Sequence, residues 1–245
     1  MAMATATLRR TVVASRNRGN GNGEHGTKHP ASTENCILDE PELFLLFLGC
    51  EALPPYGPYD HTAGLFLDLI ARAVSDTLQA NQRRSIAIDV YAVSNDQQDE
   101  PAAERFPPDD DLARCDGVLL PGSFSSAYEE DQPWILELRD WIQARLVARS
   151  VPTLGICFGH QLYAHSFSAG SSKDSTNDRV GGGRAIRCPE GAQAGRKTTA
   201  LTAAGKAFLS AALDNDSGED ETVPGDAASR LELFYTHGDM VESLP

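Results

Sequence analysis

The 245-residue chain contains no run of about eighteen apolar residues, the length a membrane-spanning helix needs. It also lacks paired cysteines: Cys36, Cys50, Cys115, Cys157 and Cys188 are odd in number and scattered. None stands in a CxxC pair or at metal-ligand spacing from a histidine, so free thiols in a reducing compartment are expected, and no metal. Positive charge is scarce too. The 21 basic residues face 35 acidic ones, a formal net charge of −14, which argues against a nucleic-acid backbone as partner because phosphate binding needs a positive face. No nucleotide or other cofactor motif occurs. The glycine run at 181–183 does not lead from a buried strand into a helix as a phosphate cradle does, and it reads as a turn. No internal repeat is visible.

What is present suits one sizeable α/β domain, with hydrophobic residues at 41%. The charge is uneven. Residues 1–35 hold Arg9, Arg10, Arg16, Arg18 and Lys28 against Glu24 and Glu34, so the acidic excess lies in the rest of the chain. MAMATATLRRTVVASRNRGNGNG has the Arg-rich, acid-poor character of an organelle transit peptide and lacks the apolar core of a secretory signal. The same residues fit an ordinary disordered tail rich in Gly and Asn. The expected organisation is therefore a disordered tail over 1–40 and a folded domain over 41–245 in a cytoplasmic protein, with a transit peptide within 1–30 as the alternative.

ELFLLFLGC, at 42–50, is a short continuous apolar run, as in a strand buried on both faces of a parallel sheet. EALPPYGPY is loop, and helical spacing runs from Asp60, a candidate N-cap, to about Leu78. SIAIDVYAV alternates and is β-branched, which predicts a second strand. SNDQQDEPAAERFPPDDD reads as a polar, Pro-punctuated loop, and GVLLPG as a third buried strand. WILELRDWIQARLVA predicts an amphipathic helix, VPTLGIC a fourth strand, and FGHQLYAHSFSAG a helix stopping at Gly170. Strands alternating with helices predict a doubly wound, mostly parallel sheet. RVGGGRAIRC, KTTALTA and RLELFYTH predict short strands of a small antiparallel extension, and LDNDSGEDETVPGDAAS an acidic surface loop.

The chemistry concentrates in LGICFGHQLYAH, residues 154–165. A strand, then Gly-x-Cys-x-Gly, then a helix is the cysteine form of the nucleophile elbow. Gly155 and Gly159 leave room for a sharp turn, and the helix N-terminus offers N–H groups and dipole to the Cys157 sulfur, which lowers a thiol pKa. The Phe158 N–H is then placed to donate to an oxyanion, with a second donor expected from the LLPGS turn at Gly122 and Ser123. A buried cysteine at a strand end also occurs simply as a small hydrophobe.

On these residues the sequence resembles the class I (triad) glutamine amidotransferases. GICFGHQ matches their nucleophile motif, DGVLLPGSFSSAYEEDQPWI their oxyanion-strand segment, VGGGRAIRC the strand pair after the elbow helix, and THGDMVESLP a penultimate motif. LLPGS and the nearby PWI look closest to stand-alone members, the GMP-synthase-like amidotransferases and γ-glutamyl peptide hydrolases. The resemblance implies a flavodoxin-like domain that hydrolyses a γ-glutamyl amide, a small-molecule substrate, through a thioester on Cys157. It implies Gly122 and Phe158 as oxyanion hole, and Ser123 and Gln161 as substrate contacts. The backbone around Thr236, His237 and Gly238 would hold the α-amino and α-carboxylate ends. Other cysteine-elbow enzymes of this fold, the deglycases, follow the cysteine with histidine, and Phe158 argues against them.

The same family places a general base and its orienting acid in a His-Pro-Glu segment some thirty residues beyond the HGD motif. The 245 residues hold none: His29-Pro30 lies near the N-terminus and is followed by Ala31. A C-terminally truncated domain of impaired activity is the expectation, with a non-catalytic binding protein, or a fragment of a longer enzyme, as the alternative. His237 is the best substitute base, Asp239 its candidate orienter; His160 and His165 on the elbow helix are weaker candidates. No synthase domain follows, which favours hydrolysis of peptide or free glutamine over biosynthetic transfer.

Overall fold

The computed structural model describes residues 8–15, 41–77, 83–94, 105–168, 182–207 and 230–243. In chain order these form β1 (Leu8–Ser15), β2 (Leu43–Gly49), α1 (Tyr59–Thr77), β3 (Arg83–Ala92), α2 (Asp109–Arg114), β4 (Gly117–Leu120) and α3 (Pro133–Trp141). Then follow β5 (Thr153–Gly155), α4 (Phe158–His165), β6 (Arg184–Arg187), β7 (Gln193–Ala200), β8 (Arg230–His237) and β9 (Asp239–Ser243). The acidic loop expected near 213–229 lies outside the described residues.

One sheet runs β1-β3-β2-β4-β5. β3, β2, β4 and β5 are mutually parallel, with Leu43 opposite Ile86, Leu45 opposite Gly117 and Leu120 opposite Gly155. Their order is that of the flavodoxin-like doubly wound fold, and its switch point lies where β2 separates β3 from β4. Two antiparallel pairs, β6 with β9 and β7 with β8, make the smaller extension.

β2 explains why the sheet is covered twice. Strand side chains alternate between faces, and both faces of β2 are apolar. Phe44, Leu46 and Leu48 pack with Trp134, Ile135 and Leu138 of α3 and with Phe158 and Leu162 of α4. Leu45 and Phe47 pack on the other face with Ala63 and Leu67 of α1. Each fully buried side chain of this size contributes about 1.5–3 kcal/mol relative to exposure. α3 continues into a π-helical turn over Ile142–Val147, which keeps Ile142 and Leu146 in the core.

Three expectations change, and one motif gains a structure. Residues 8–15, placed in a disordered tail by their basic composition, form β1, antiparallel to β3 with Arg9 opposite Asp89. The physical reason is a long-range ion pair: the Arg9 guanidinium grips the buried Asp89 carboxylate through Nε and Nη2, 2.7 Å each. Asp60 stands inside the first turn of α1, where Arg10 pairs with it at 2.7 Å, and is not the residue before the helix. The last residues of the Pro-rich loop form α2, with three aspartates at the positive N-terminus, Arg114 in the last turn and Leu112 buried. MVES pairs with β6 as β9.

Candidate active site

β5 ends at Gly155, and the chain reverses into α4 through Cys157, which has φ 54° and ψ −116°. A non-glycine residue at positive φ costs on the order of 1–3 kcal/mol and persists only where its surroundings impose it. The two flanking glycines show the imposition. A Cβ on Gly155 would lie 2.7 Å from the His160 nitrogen, and one on Gly159 would lie 2.1 Å from the Leu120 carbonyl oxygen. Helix α4 therefore rests directly on β4 and β5. The Ile156 N–H bonds to the Leu120 carbonyl at 2.9 Å and the Gly159 N–H to the Pro121 carbonyl at 3.0 Å, which ties the elbow to the end of β4.

Cys157 is the residue before the first turn of α4, and its carbonyl accepts the Gln161 N–H at 3.1 Å. Burial pushes its thiol up, the Phe158 N–H opposes this by hydrogen bonding to the sulfur, and the Asp239 carboxylate raises it further. The helix terminus thus acts as expected through Phe158, but burial outweighs it, and the resting group is a thiol. The Phe158 ring is fully buried against Trp134, centroids 5.6 Å apart, which fixes the backbone at the sulfur.

Gly122 lies on the other side of Cys157. A Cβ added to it would meet the Tyr56 hydroxyl at 3.0 Å and the Cys157 Cβ at 3.6 Å. Gly122 and Phe158 thus converge on the cysteine. Ser123 is buried and turned to other work: its hydroxyl donates to Glu51 at 3.3 Å and accepts the Ser125 N–H at 3.1 Å. Glu51 also accepts the N–H groups of Leu53, at 3.0 Å, and Phe124, at 3.3 Å. This carboxylate clasps the loop after β2 to the loop after β4 at the switch point, where doubly wound sheets bind ligands.

Gln161 is buried and donates its amide to the Asp239 carbonyl at 3.0 Å. His237 Nδ1 donates to the same carbonyl at 2.5 Å. The carboxylate of Asp239 accepts from the Tyr128 hydroxyl at 2.9 Å. Thr236 sits in β8 opposite Ala194, and Gly238 makes the turn into β9, with its carbonyl taken by the Cys188 N–H at 2.8 Å. Among the described residues, leaving aside its chain neighbours, nothing lies within 4 Å of where a Gly238 side chain would start. Asp239, rather than orienting His237 through its carboxylate, binds it through its backbone oxygen, and its charge reaches Cys157 directly.

The elbow-helix histidines separate. His160 is held below its ordinary value by burial and by His237 beside it. His165 accepts the Ala185 N–H on Nδ1 at 3.1 Å and is lowered to about 4 by burial, Arg139 and Arg184, so it braces β6 as a neutral ring. Glu51 and Tyr56 were not singled out by sequence reasoning. Their signal is positional, an acid and an aromatic in the loop that leaves the apolar strand β2. Among the described residues no group of His, Cys, Asp and Glu has the arrangement of a metal site, and no helix is long and apolar enough to cross a membrane.

Residues 69–227, more than half of the chain, match the family model described as glutamine amidotransferase class-I. The sequence is 43% identical over 61 residues to gamma-glutamyl peptidase 4 of Arabidopsis thaliana, covering 25% of this chain and 24% of that one. It is 34% identical over 102 residues to gamma-glutamyl peptidase 5 of the same plant, covering 41% of this chain and 34% of that one. The chain thus spans about a quarter to a third of the length of these curated relatives. A crystal structure of a glutamine amidotransferase from Thermotoga maritima aligns at 16% identity and TM-score 0.46, over 82% of this chain and 63% of that one. The chain belongs to the class-I glutamine amidotransferase family.

Proposed function

We propose that the chain hydrolyses a γ-glutamyl amide, glutamine or a γ-glutamyl peptide, through a thioester on Cys157. The observation that carries this reading is the strained Cys157 backbone, φ 54°, held between two glycines that admit no side chain. Such strain is retained at sites that need it, and here it presents the sulfur at the head of a helix.

In this reading Sγ attacks the γ-carbonyl carbon, and the N–H groups of Phe158 and Gly122 receive the oxyanion. The Thr236–Gly238 turn holds the amino-acid end of the substrate. Ser123 and Gln161 act as positioning residues, one through Glu51 and the other through Asp239, in keeping with their hydrogen bonds. Turnover is slow. The thiol is raised rather than lowered, so little of it is thiolate at neutral pH.

The test is glutamate release from glutamine and from glutathione by the whole chain beside Cys157→Ser. Release that vanishes in the variant supports the reading. Equal release by both overturns it in favour of turnover that does not use Cys157, and none from folded protein overturns it and leaves a non-catalytic binding role.

A further inference from the structure

We propose that His165 is a positioning residue of this site: by anchoring β6, the strand that Asp239 is laid against, it fixes where Asp239 stands relative to Cys157. This role rests on the reading of Cys157 as nucleophile only where substrate is concerned. The placement of Asp239 against the sulfur is open to test without any substrate.

Helix α4 reaches the antiparallel extension through one face. Gln161 and His165 stand four residues apart, one above the other on the helix. Gln161 donates to the Asp239 carbonyl of β9 at 3.0 Å, and His165 Nδ1 accepts the Ala185 N–H of β6 at 3.1 Å. β6 and β9 are themselves paired, with Ala185 opposite Val241 and Arg187 opposite Asp239. The His165 ring also meets the Tyr128 ring edge-on, centroids 6.5 Å apart, and the Tyr128 hydroxyl donates to the Asp239 carboxylate at 2.9 Å. Two paths thus run from His165 to Asp239, one through β6 and one through Tyr128. The same helix carries Cys157 at its head.

Ala185 is buried, and a buried donor left unsatisfied carries a desolvation penalty. If His165 no longer accepts its N–H, β6 must shift to find another acceptor, and β9 shifts with it. The ring is also kept in the state that can accept. Only an unprotonated Nδ1 does so, and burial, then Arg139 of α3 and Arg184 of β6, lower His165 to about 4. Arg184 is in turn paired with Glu242 of β9 at 3.5 Å, and Tyr128 presents its ring to His165 while its hydroxyl is given to Asp239.

The consequence falls on Cys157. The Asp239 carboxylate raises the thiol, and the turn just before Asp239 is the one that holds the amino-acid end of the substrate in the proposed reaction. A β9 released from its place takes the charge away from the sulfur and loosens that turn.

The experiment follows alkylation of Cys157 by iodoacetamide against pH in wild type, His165→Leu, His165→Asn, Asp239→Asn and the double variant His165→Leu/Asp239→Asn. His165→Leu should move the thiol midpoint to lower pH, in the direction of Asp239→Asn. The double variant should move it no further than Asp239→Asn alone, because both changes remove one charge from the sulfur. His165→Asn, which keeps an acceptor for Ala185, should bring the midpoint back toward wild type. On γ-glutamyl substrates His165→Leu should lower kcat/KM by up to roughly a hundredfold, mostly through KM. A second measurement needs no folded His165→Leu: amide hydrogen exchange in wild type should show β6 and β9 losing protection as pH is lowered toward the His165 value of about 4, and His165→Asn should keep it. An unmoved midpoint in folded His165→Leu, shifts that add in the double variant, an unmoved KM, or protection lost equally in His165→Asn overturns the assignment while leaving Cys157 in place. The expected midpoints in a protein without Cys157-dependent glutamate release support the assignment and overturn the reading of the reaction.

Discussion

Gly159 of α4 lies so close to Leu120 of β4 that a Cβ on the glycine would stand 2.1 Å from the leucine carbonyl oxygen. That contact sets the height of the elbow helix above the sheet, and with it the position of the Cys157 sulfur. Because the obstacle is backbone, it has no rotamer by which to yield. Gly159→Ala should cost about 1–3 kcal/mol or more, as overpacking does, and should abolish any Cys157-dependent turnover beyond what the stability loss explains. Denaturant unfolding and glutamate release measure the two. Wild-type stability in the variant would contradict the packing account.

The ion pair between Arg9 and Asp89 should hold β1 to the sheet. Asp89 is 5% exposed while Arg9 is 46% exposed, so removing the arginine strands a buried carboxylate but leaves it near water. Arg9→Ala should cost about 1–3 kcal/mol, below the 3–5 of a fully buried pair. Asp89→Asn in the same chain should recover part of that. Urea midpoints for the single and double variants decide it, and a neutral Arg9→Ala would contradict a structural role for β1.

His165 gives a pH signature. Its folded value, about 4, lies below the ordinary value of 6.5, so the unfolded chain takes up the proton first. Its contribution to stability is therefore present above about 6.5 and is lost as pH falls from there toward 4. His165→Asn retains an acceptor for the Ala185 N–H and removes the titration. Melting temperatures at pH 7 and pH 4.5 should differ less for the variant than for wild type; an unchanged difference would contradict the buried, neutral ring.

Much of the fold was legible because its signals are local. The uninterrupted apolar run at 43–49 can be satisfied only by a strand covered on both faces, and it is one. The Gly-x-Cys-x-Gly elbow was legible because Gly155 answers to contacts within its own strand–turn–helix unit, whereas the Leu120 carbonyl that demands Gly159 comes from β4. β1 was not legible, since its basic residues look like a tail until Asp89, eighty positions away, is brought opposite Arg9. The thiol pKa was misjudged for the same reason. The helix N-terminus is visible in sequence, whereas burial and the distant Asp239 carboxylate, which outweigh it, are not. Gln161 and Ser123 stood in motif positions read as substrate contacts, and only the fold shows their hydrogen bonds turned to Asp239 and Glu51.

The raised thiol leads to a further outcome. A Cys157 pushed above its ordinary 9.0 by burial should react slowly with iodoacetamide at neutral pH, and its rate should still be climbing beyond pH 9, because the thiolate is the reactive form. Site-resolved mass spectrometry of alkylation against pH checks this. A plateau reached near neutrality would show a thiolate already formed and contradict the electrostatic account of the site.

The central claim is that Cys157 accepts a γ-glutamyl group. The most direct measurement is acid quenching of the chain during turnover of a γ-glutamyl anilide, followed by peptide mass spectrometry. The account predicts a γ-glutamyl adduct on the Cys157 peptide that disappears on treatment with hydroxylamine and is missing from Cys157→Ser. Anilide cleavage with the adduct elsewhere, or with none in either protein, would contradict it.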